Sequence, residues 1–392
     1  MLTRLTRLKR LTKLSCLVSF VGIVSLASLK YKDLTKLGKN QISLSEWFEQ
    51  IGYAKTAEFR KEDNDKRKNL LKLNQIIGLP FDKPTEFSAE DIANSKDNFL
   101  NFLNDHGSEL CAYRLIPLDD KLPKLRMRGY SVKKTFNWFN EQKIDSTKYR
   151  VDIIPHSDKY TWSTIFIINK NGIFGEIIKG NPFMLTQGFY NEETPITFSF
   201  DFKNWLLSTK NPEALDHLKM ITKWLKIEDP NKQIEVEQQI NGQFCNNYLL
   251  GYFETTESPE FGLWFIDWNR ILGETYSEYQ LTNIDTNYTN KLISGVVAYA
   301  GKVRGKVKIV SDYSPLAPLS AERGVTSDPD WILVCKMTTP EYIPLMKECV
   351  GIITEQGGIL SHAAIIAREL KKPCVVGVKN VMSVLRDLDI RN

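Results

Sequence analysis

One segment carries residue types spaced for group transfer: TEQGGILSHAAIIARELKKPCVVGV, 354–378. Gly357 and Gly358 permit a tight turn with close backbone approach. Ser361 is a good helix N-cap, and Ala363, Ile366, Ala367 and Leu370 then fall at i, i+3, i+4 and i+7, one apolar stripe that Pro373 stops. His362 therefore lies in the first turn of a helix, expected to be exposed beside the glycines. Backbone N–H groups and the positive end of the helix dipole converge there and suit a dianionic phosphoryl group. A neutral imidazole is a competent nucleophile whose phosphoramidate can pass the phosphoryl group on, and the dipole is expected to lower its pKa. A lone histidine at a helix start also serves as a plain cap or surface residue. The spacing alone leaves both open.

The elements that must position this turn are short strands. GVVAYAGKVRGKVKIVS, WILVCKM, VGIITE and PCVVGV follow Leu292, and two of them are continuous apolar runs of the kind covered on both faces. TTPEYIPLMKEC between them reads as a short helix started by Thr338 or Thr339, with Pro340 in its first turn. Upstream, ETYSEYQLTNIDTNYTNK, 274–291, reads as an interdomain linker. From about Leu110 the pattern is strand-like: CAYRLIPL, YRVDIIP, KQIEVEQQI, CNNYLLGYFET, FGLWFIDW, and TIFIIN with IFGEII joined at an NKNG hairpin, 169–172. ALDHLKMITKWLKI is helical, and KLRMRG, 124–129, reads as a small basic loop that either holds phosphates or is simply solvated. Residues 41–110 read as helices, with Ser43 or Ser45 as caps and Gly107 as a stop. His106, His156 and His217 are isolated and read as structural or surface residues, and the Trp and Tyr content of 131–165 and 247–268 reads as core.

Charge excludes one class of partner. The net charge is +5, and Arg4, Arg7, Lys9, Arg10 and Lys13 account for all of it within residues 1–13, which hold no acidic residue. The rest of the chain sums to zero, so no basic face for nucleic acid is implied. The six cysteines lack any CxxC and read as reduced thiols rather than a zinc site. Leu14–Leu29 is an apolar run behind the basic stretch. It is compatible with a signal or anchor, a leader upstream of the true start, or part of the fold. Reduced thiols favour a cytoplasmic protein, the alternative being a membrane tether through residues 14–29.

The pattern TxxGGxxSHAAIxARExxxP resembles, nearly position by position, the signature of the swivelling phosphohistidine domain of phosphoenolpyruvate-utilising enzymes: phosphoenolpyruvate synthases, pyruvate phosphate dikinases and rifampicin phosphotransferases. LVCKMTTPEYIPLM is similar to the strand and TxP turn that precede it in that family, and the likeness covers about 100 residues. The resemblance implies a β/β/α swivelling domain over 292–392, with His362 phosphorylated and Thr354, Gly357, Gly358 and Ser361 shaping its pocket. Arg368 and Glu369 are expected to pair or pack on the helix surface. The chain ends at RDLDIRN where the family places further strands, so an unpaired sheet edge is expected. No barrel domain for phosphoenolpyruvate follows, so its interconversion with pyruvate within this chain is not expected.

The same resemblance implies a nucleotide donor bound on a divergent ATP-grasp-like region, 110–273, after a helical region, 41–109, and the leader, 1–40. GIFGEIIKGNP, with Glu176, is similar to a GLGEAVVSG segment of the dikinase nucleotide domain. FGLWFIDWNR looks like the strand closing an ATP-grasp domain, where Asp267 and Asn269 share one face as hard oxygen ligands for Mg2+ and Arg270 meets phosphate. Glu237 matches a hinge acid on the adenine and ribose side, and Arg114 is the nearest counterpart of the family's RSSA arginine. The expected class is thus α/β and α+β multidomain. The expected activity is a phosphotransferase using ATP and Mg2+ and passing the phosphoryl group to a small-molecule or protein acceptor. The alternative is a degenerate, non-catalytic module phosphorylated by a partner.

Overall fold

The computed structural model describes residues 44–119, 122, 124–188, 193–281, 295–311 and 330–389. Residues 1–40, with the apolar run 14–29, and 282–291 of the expected linker lie outside them. The chain opens with helices α1 (Leu44–Ile51) and α2 (Thr56–Ile77), the second ended by Gly78 at φ 74° with its N–H on the Asn74 carbonyl. Next come β1 (Thr85–Ser88), α3 (Ala89–Ala93), α4 (Asp97–His106), β2 (Leu110–Pro117), β3 (Leu125–Ser131), α5 (Val132–Glu141) and β4 (Tyr149–Pro155). These four strands make an antiparallel sheet in the order β1-β4-β2-β3. Ile92, Phe99, Val132 and Phe139 of the helices join Tyr113, Val151 and Ile153 of the strands in its core.

The second sheet is built from β5 (Trp162–Asn169), β6 (Gly172–Ile178), β7 (Ile196–Phe200) and β8 (Trp205–Leu207), then β11 (Gly251–Ser258) and β12 (Gly262–Asn269). Between them lie α6 (Phe183–Gln187), α7 (Pro212–Lys223), α8 (Pro230–Ile240) and the small ribbon β9 (Phe244–Cys245) with β10 (Tyr248–Leu249). The six strands are antiparallel in the order β12-β11-β5-β6-β7-β8. After α9 (Arg270–Glu274) the C-terminal domain follows: β13 (Val296–Tyr299), β14 (Lys306–Val310), β15 (Trp331–Cys335), α10 (Ile343–Glu348), β16 (Gly351–Thr354), α11 (His362–Glu369), β17 (Cys374–Val376) and α12 (Val381–Asp389). Its sheet runs β13-β17-β16-β15-β14, parallel except for β13.

β5 and β6 are buried along their whole length, and the period of two splits their side chains between two cores. Phe166, Ile168, Ile173 and Ile177 join Leu70, Leu73, Leu218 and Val236 of the covering helices. Ile165, Ile167, Phe174 and Ile178 join Ile359, Leu360 and Ile365 of the C-terminal domain. The C-terminal domain is therefore the second cover of this sheet.

The mixed α/β, multidomain architecture is as expected; several local readings are not. TEFS within the expected helical region forms β1, and Ser45 is buried inside α1 rather than capping it. KLRMRG is largely strand β3, not a loop. KQIEVEQQI is not a strand but part of α8, capped by Asp229, with Pro230 first in the helix. There Val236 and Ile240, four apart, are buried while Ile234 is 51% exposed, the reverse of strand alternation. Residues 274–281 are not a free linker, since Tyr276 is fully buried. Its hydroxyl donates to the Ile359 carbonyl at 3.3 Å, and the Arg368 guanidinium lies 4.4 Å above the rings of Tyr276 and Tyr279. Finally, β17 has no bare edge, because β13 pairs with it, and α12 follows it where further strands were expected.

Phe174→Ala removes a ring from the face of β6 that meets the C-terminal domain. It should lower stability by about 3–5 kcal/mol in urea unfolding, whereas exposed Glu237→Ala should stay within about 0.5 kcal/mol.

Candidate active site

The glycine turn after β16 is fixed by its own short hydrogen bonds. The Thr354 hydroxyl, fully buried, donates to the Gln356 carbonyl at 2.6 Å, and the Ser361 hydroxyl donates to the Gly358 carbonyl at 2.8 Å. Gly357 has φ 109°, a conformation that L side chains rarely adopt. Ser361 occupies the N-cap position with extended backbone, but its hydroxyl makes no cap hydrogen bond. The first turn of α11 is thus not closed off by its own cap, and His362 is its first residue.

His362 is half-buried, not exposed as the sequence suggested. Its ring meets the Trp47 ring edge-on at 5.9 Å between centroids. Its pKa is lowered to about 4, first by burial and then by the Arg126 guanidinium. The imidazole is therefore neutral at pH 7 and keeps a nucleophilic lone pair.

Arg126 belongs to a cationic cluster that sequence reading treated as a loop. On β3 Arg126 stands opposite Arg114 of β2, and Arg128 opposite Ala112. All three arginines line a cavity between the two antiparallel sheets, whose other walls include Thr256, Ser258 and Trp264. Burial first, then the neighbouring arginines, pulls Arg128 down to about 9 and lowers Arg126 as well. His156 lines the same cavity rather than standing alone, its pKa lowered to about 4 by burial and by Arg128. Such crowding of cations is relieved by a polyanion.

The other expected ligands are engaged within the protein. Asp267 Oδ2 accepts from Lys66 Nζ at 2.8 Å, and Lys66 also pairs with Asp63 at 3.1 Å. Asp267 Oδ1 is buried without a partner, and Glu254 stands opposite Asp267 in register, its pKa raised by burial and by that carboxylate. Asn269 Oδ1 instead accepts from the Leu272 N–H at 2.8 Å, capping α9. Arg270 is held by Glu62 through its guanidinium at 2.9 Å and its backbone N–H at 2.5 Å. No group of three or more acidic, histidine or cysteine side chains among the described residues is placed to hold an ion by itself, but the unpartnered Asp267 Oδ1 and the facing Glu254 fit Mg2+ carried on phosphates, which needs only one or two protein carboxylates. Glu237 is exposed on α8 and is not among the cavity's lining residues. Glu176 meets the C-terminal domain instead of the cavity. Lys66, Arg67 and Asp82 went unnoticed in the sequence, although Asp63, Lys66, Arg67 and Leu70 share one face of α2. Arg67 and Asp82 pair in the interior at 2.5 Å, and burial raises the pKa of Asp82 to about 6.

Residues 327–390 match the family model of the PEP-utilising enzyme, mobile domain. Over these residues the C-terminal domain is similar to that mobile domain. The chain is 42% identical over 106 residues to an uncharacterized phosphotransferase of Bacillus subtilis (strain 168), covering 27% of this chain and 12% of that one. A probable phosphoenolpyruvate synthase of Methanothermobacter thermautotrophicus is 38% identical over 116 residues, 30% of this chain and 15% of its own. The rifampicin phosphotransferase of Bacillus subtilis is 33% identical over 110 residues, 28% of this chain and 11% of its own. These matches thus span a small part of each relative's length. Among solved structures, the D-alanine-D-alanine ligase of Coxiella burnetii covers 55% of this chain and 50% of its own at 9% identity, with a TM-score of 0.29. Among the described residues of the chain, no helix is long and apolar enough to cross a membrane.

Buried neutral histidines make a measurable signature. NMR titration should place His362 near pH 4, and its midpoint should rise in Arg126→Ala. Because its folded pKa lies below the unfolded value of about 6.5, stability contributed by neutral His362 is present above pH 6.5. It is lost as pH falls toward 4, and His362→Gln should flatten that part of the stability profile.

Proposed function

We propose that this chain is a phosphotransferase: ATP bound in the arginine-lined cavity between the two antiparallel sheets phosphorylates His362, and the mobile domain carries the group to a separate acceptor. The observation that carries this reading is that the neutral, half-buried His362 feels the positive charge of Arg126, which lines the cationic cavity, while His362 itself stands outside the lining. Two antiparallel sheets around an anion-binding cleft are also the arrangement implied by the ATP-grasp resemblance.

In the step itself the imidazole lone pair forms an N–P bond as the bridging P–O bond breaks. The leaving phosphate keeps the electron pair, and the proton on the other ring nitrogen goes to solvent. Arg114, Arg126 and Arg128 neutralise the phosphates, while Thr354, Gly357, Gly358 and Ser361 fix the turn that aims the ring. Because in-line geometry dominates such transfers, positioning and charge do most of the catalysis. Asp267, with Glu254 opposite it, would hold Mg2+ brought in on the phosphates and so add to their charge neutralisation. The acceptor is of small-molecule or protein class. The five described cysteines are free thiols, which suits the reducing cytoplasm.

A second reading, a non-catalytic module phosphorylated by a partner, is favoured by the engagement of Asp267, Asn269 and Arg270 with Lys66, Leu272 and Glu62. The two readings part on nucleotide. Incubation with ATP labelled at the γ- or β-phosphate should give an acid-labile, base-stable label that His362→Ala abolishes and Arg126→Ala slows by about 10²–10³-fold. Equal labelling of His362→Ala, or none in the parent chain, would sink the first reading. A melting point unmoved by saturating ATP would then support the second.

A further inference from the structure

Glu176 is the one charged side chain on the β6 face that meets the mobile domain. It alternates with Phe174 and Ile178, which enter the apolar cluster shared with Ile359, Leu360 and Ile365. The residue is 3% exposed. Its carboxylate lies over the Gly357–Gly358 turn, so close that a Cβ on Gly358 would stand 1.8 Å from Oε2. Burial pushes its pKa up to about 7, against the lowering pull of the Ile359 and Leu360 backbone N–H groups. Oε2 is buried with no hydrogen-bond partner. The same turn is approached from the other side of the β6–α6 segment, where a Cβ on Gly188 would lie 2.4 Å from the Gly357 Cα.

A buried carboxylate is costly unless hydrogen-bonded, and these peptide N–H groups are the bonds on offer. From them the chain of contacts runs directly to the histidine. The Gly358 carbonyl accepts from both the Ser361 hydroxyl, at 2.8 Å, and the Ser361 N–H, at 3.1 Å, and Ser361 immediately precedes His362. Glu176 is not among the residues lining the arginine cavity.

We propose that Glu176 is a positioning residue: its carboxylate receives the glycine turn of the mobile domain and holds His362 toward the arginine cavity, without touching nucleotide. The consequence for transfer rests on His362 being the phosphoryl carrier; the docking contact does not.

Hydrogen exchange on the full chain, without nucleotide, tests the contact. In Glu176→Ala the Ile359 and Leu360 amides should exchange at least about tenfold faster, while amides of β11 and α7 keep their protection. Glu176→Gln retains an acceptor oxygen of the same reach and should restore most of the protection. Gly358→Ala should open the same amides in the parent chain and do so much less in a Glu176→Ala background, where the clashing carboxylate is gone. With labelled ATP, Glu176→Ala should lower the maximal labelling rate and leave the half-saturating ATP concentration unchanged. Unchanged exchange at Ile359 and Leu360, or a labelling defect confined to ATP saturation, would overturn the proposal. A parent chain that takes no label refutes the transfer reading only, because the exchange arm still decides the contact.

Discussion

The structure depends on one constraint: the central strands β5 and β6 are apolar on both faces, so both must be covered. Helices α2, α7 and α8 cover one face, and the mobile domain covers the other. Burying a side chain such as Ile165, Ile167 or Phe174 is worth about 1.5–3 kcal/mol. Docking of the C-terminal domain is therefore part of the fold's apolar core, and undocking it would expose that face to water.

The docked arrangement also sets the electrostatics of the site. His362 is neutral because Trp47 and the packing around it remove water and because Arg126 adds a positive charge nearby. The arginines are in turn crowded at one wall of the cavity, with Lys66 and Arg67 of α2 beside them and facing Asp267 and Asp82. Crowding these cations in a buried cluster costs repulsion that nearby anionic groups offset. Arg368 contributes at a different place. In keeping with a residue expected to pair or pack on its helix, it stacks on Tyr276 and Tyr279 and donates to the Ala298 carbonyl, fastening the segment after α9 to the C-terminal domain.

How much was legible follows from the range of each interaction. The glycine turn, the Ser361 position and the helix bearing His362 rest on contacts within a few residues, and the motif specified them. The NKNG hairpin was legible for the same reason, with Gly172 at φ 142° supplying its turn. The reading of 230–240 failed because Ile234 and Val236 imitate alternation, while the Asp229 cap and Pro230 favour a helix. The KLRMRG stretch failed differently: polar strands bear no apolar period, and β3 is a strand because β2 offers it an edge.

From the sequence come the motif around His362, its likeness to a mobile domain and the local geometry of its turn, because glycine conformations and helix starts are local properties. Only the tertiary structure decided what surrounds His362. Burial, Trp47 and Arg126 come from segments hundreds of residues away, and no local pattern encodes their meeting. The same holds for Asp267, Asn269 and Arg270, whose spacing suits a metal and a phosphate: Asn269 caps a helix, Glu62 holds Arg270, and Asp267 gives one oxygen to Lys66 and keeps the other unpartnered. The strand places both carbonyl-bearing side chains on one face; the partners packed against that face assign their use.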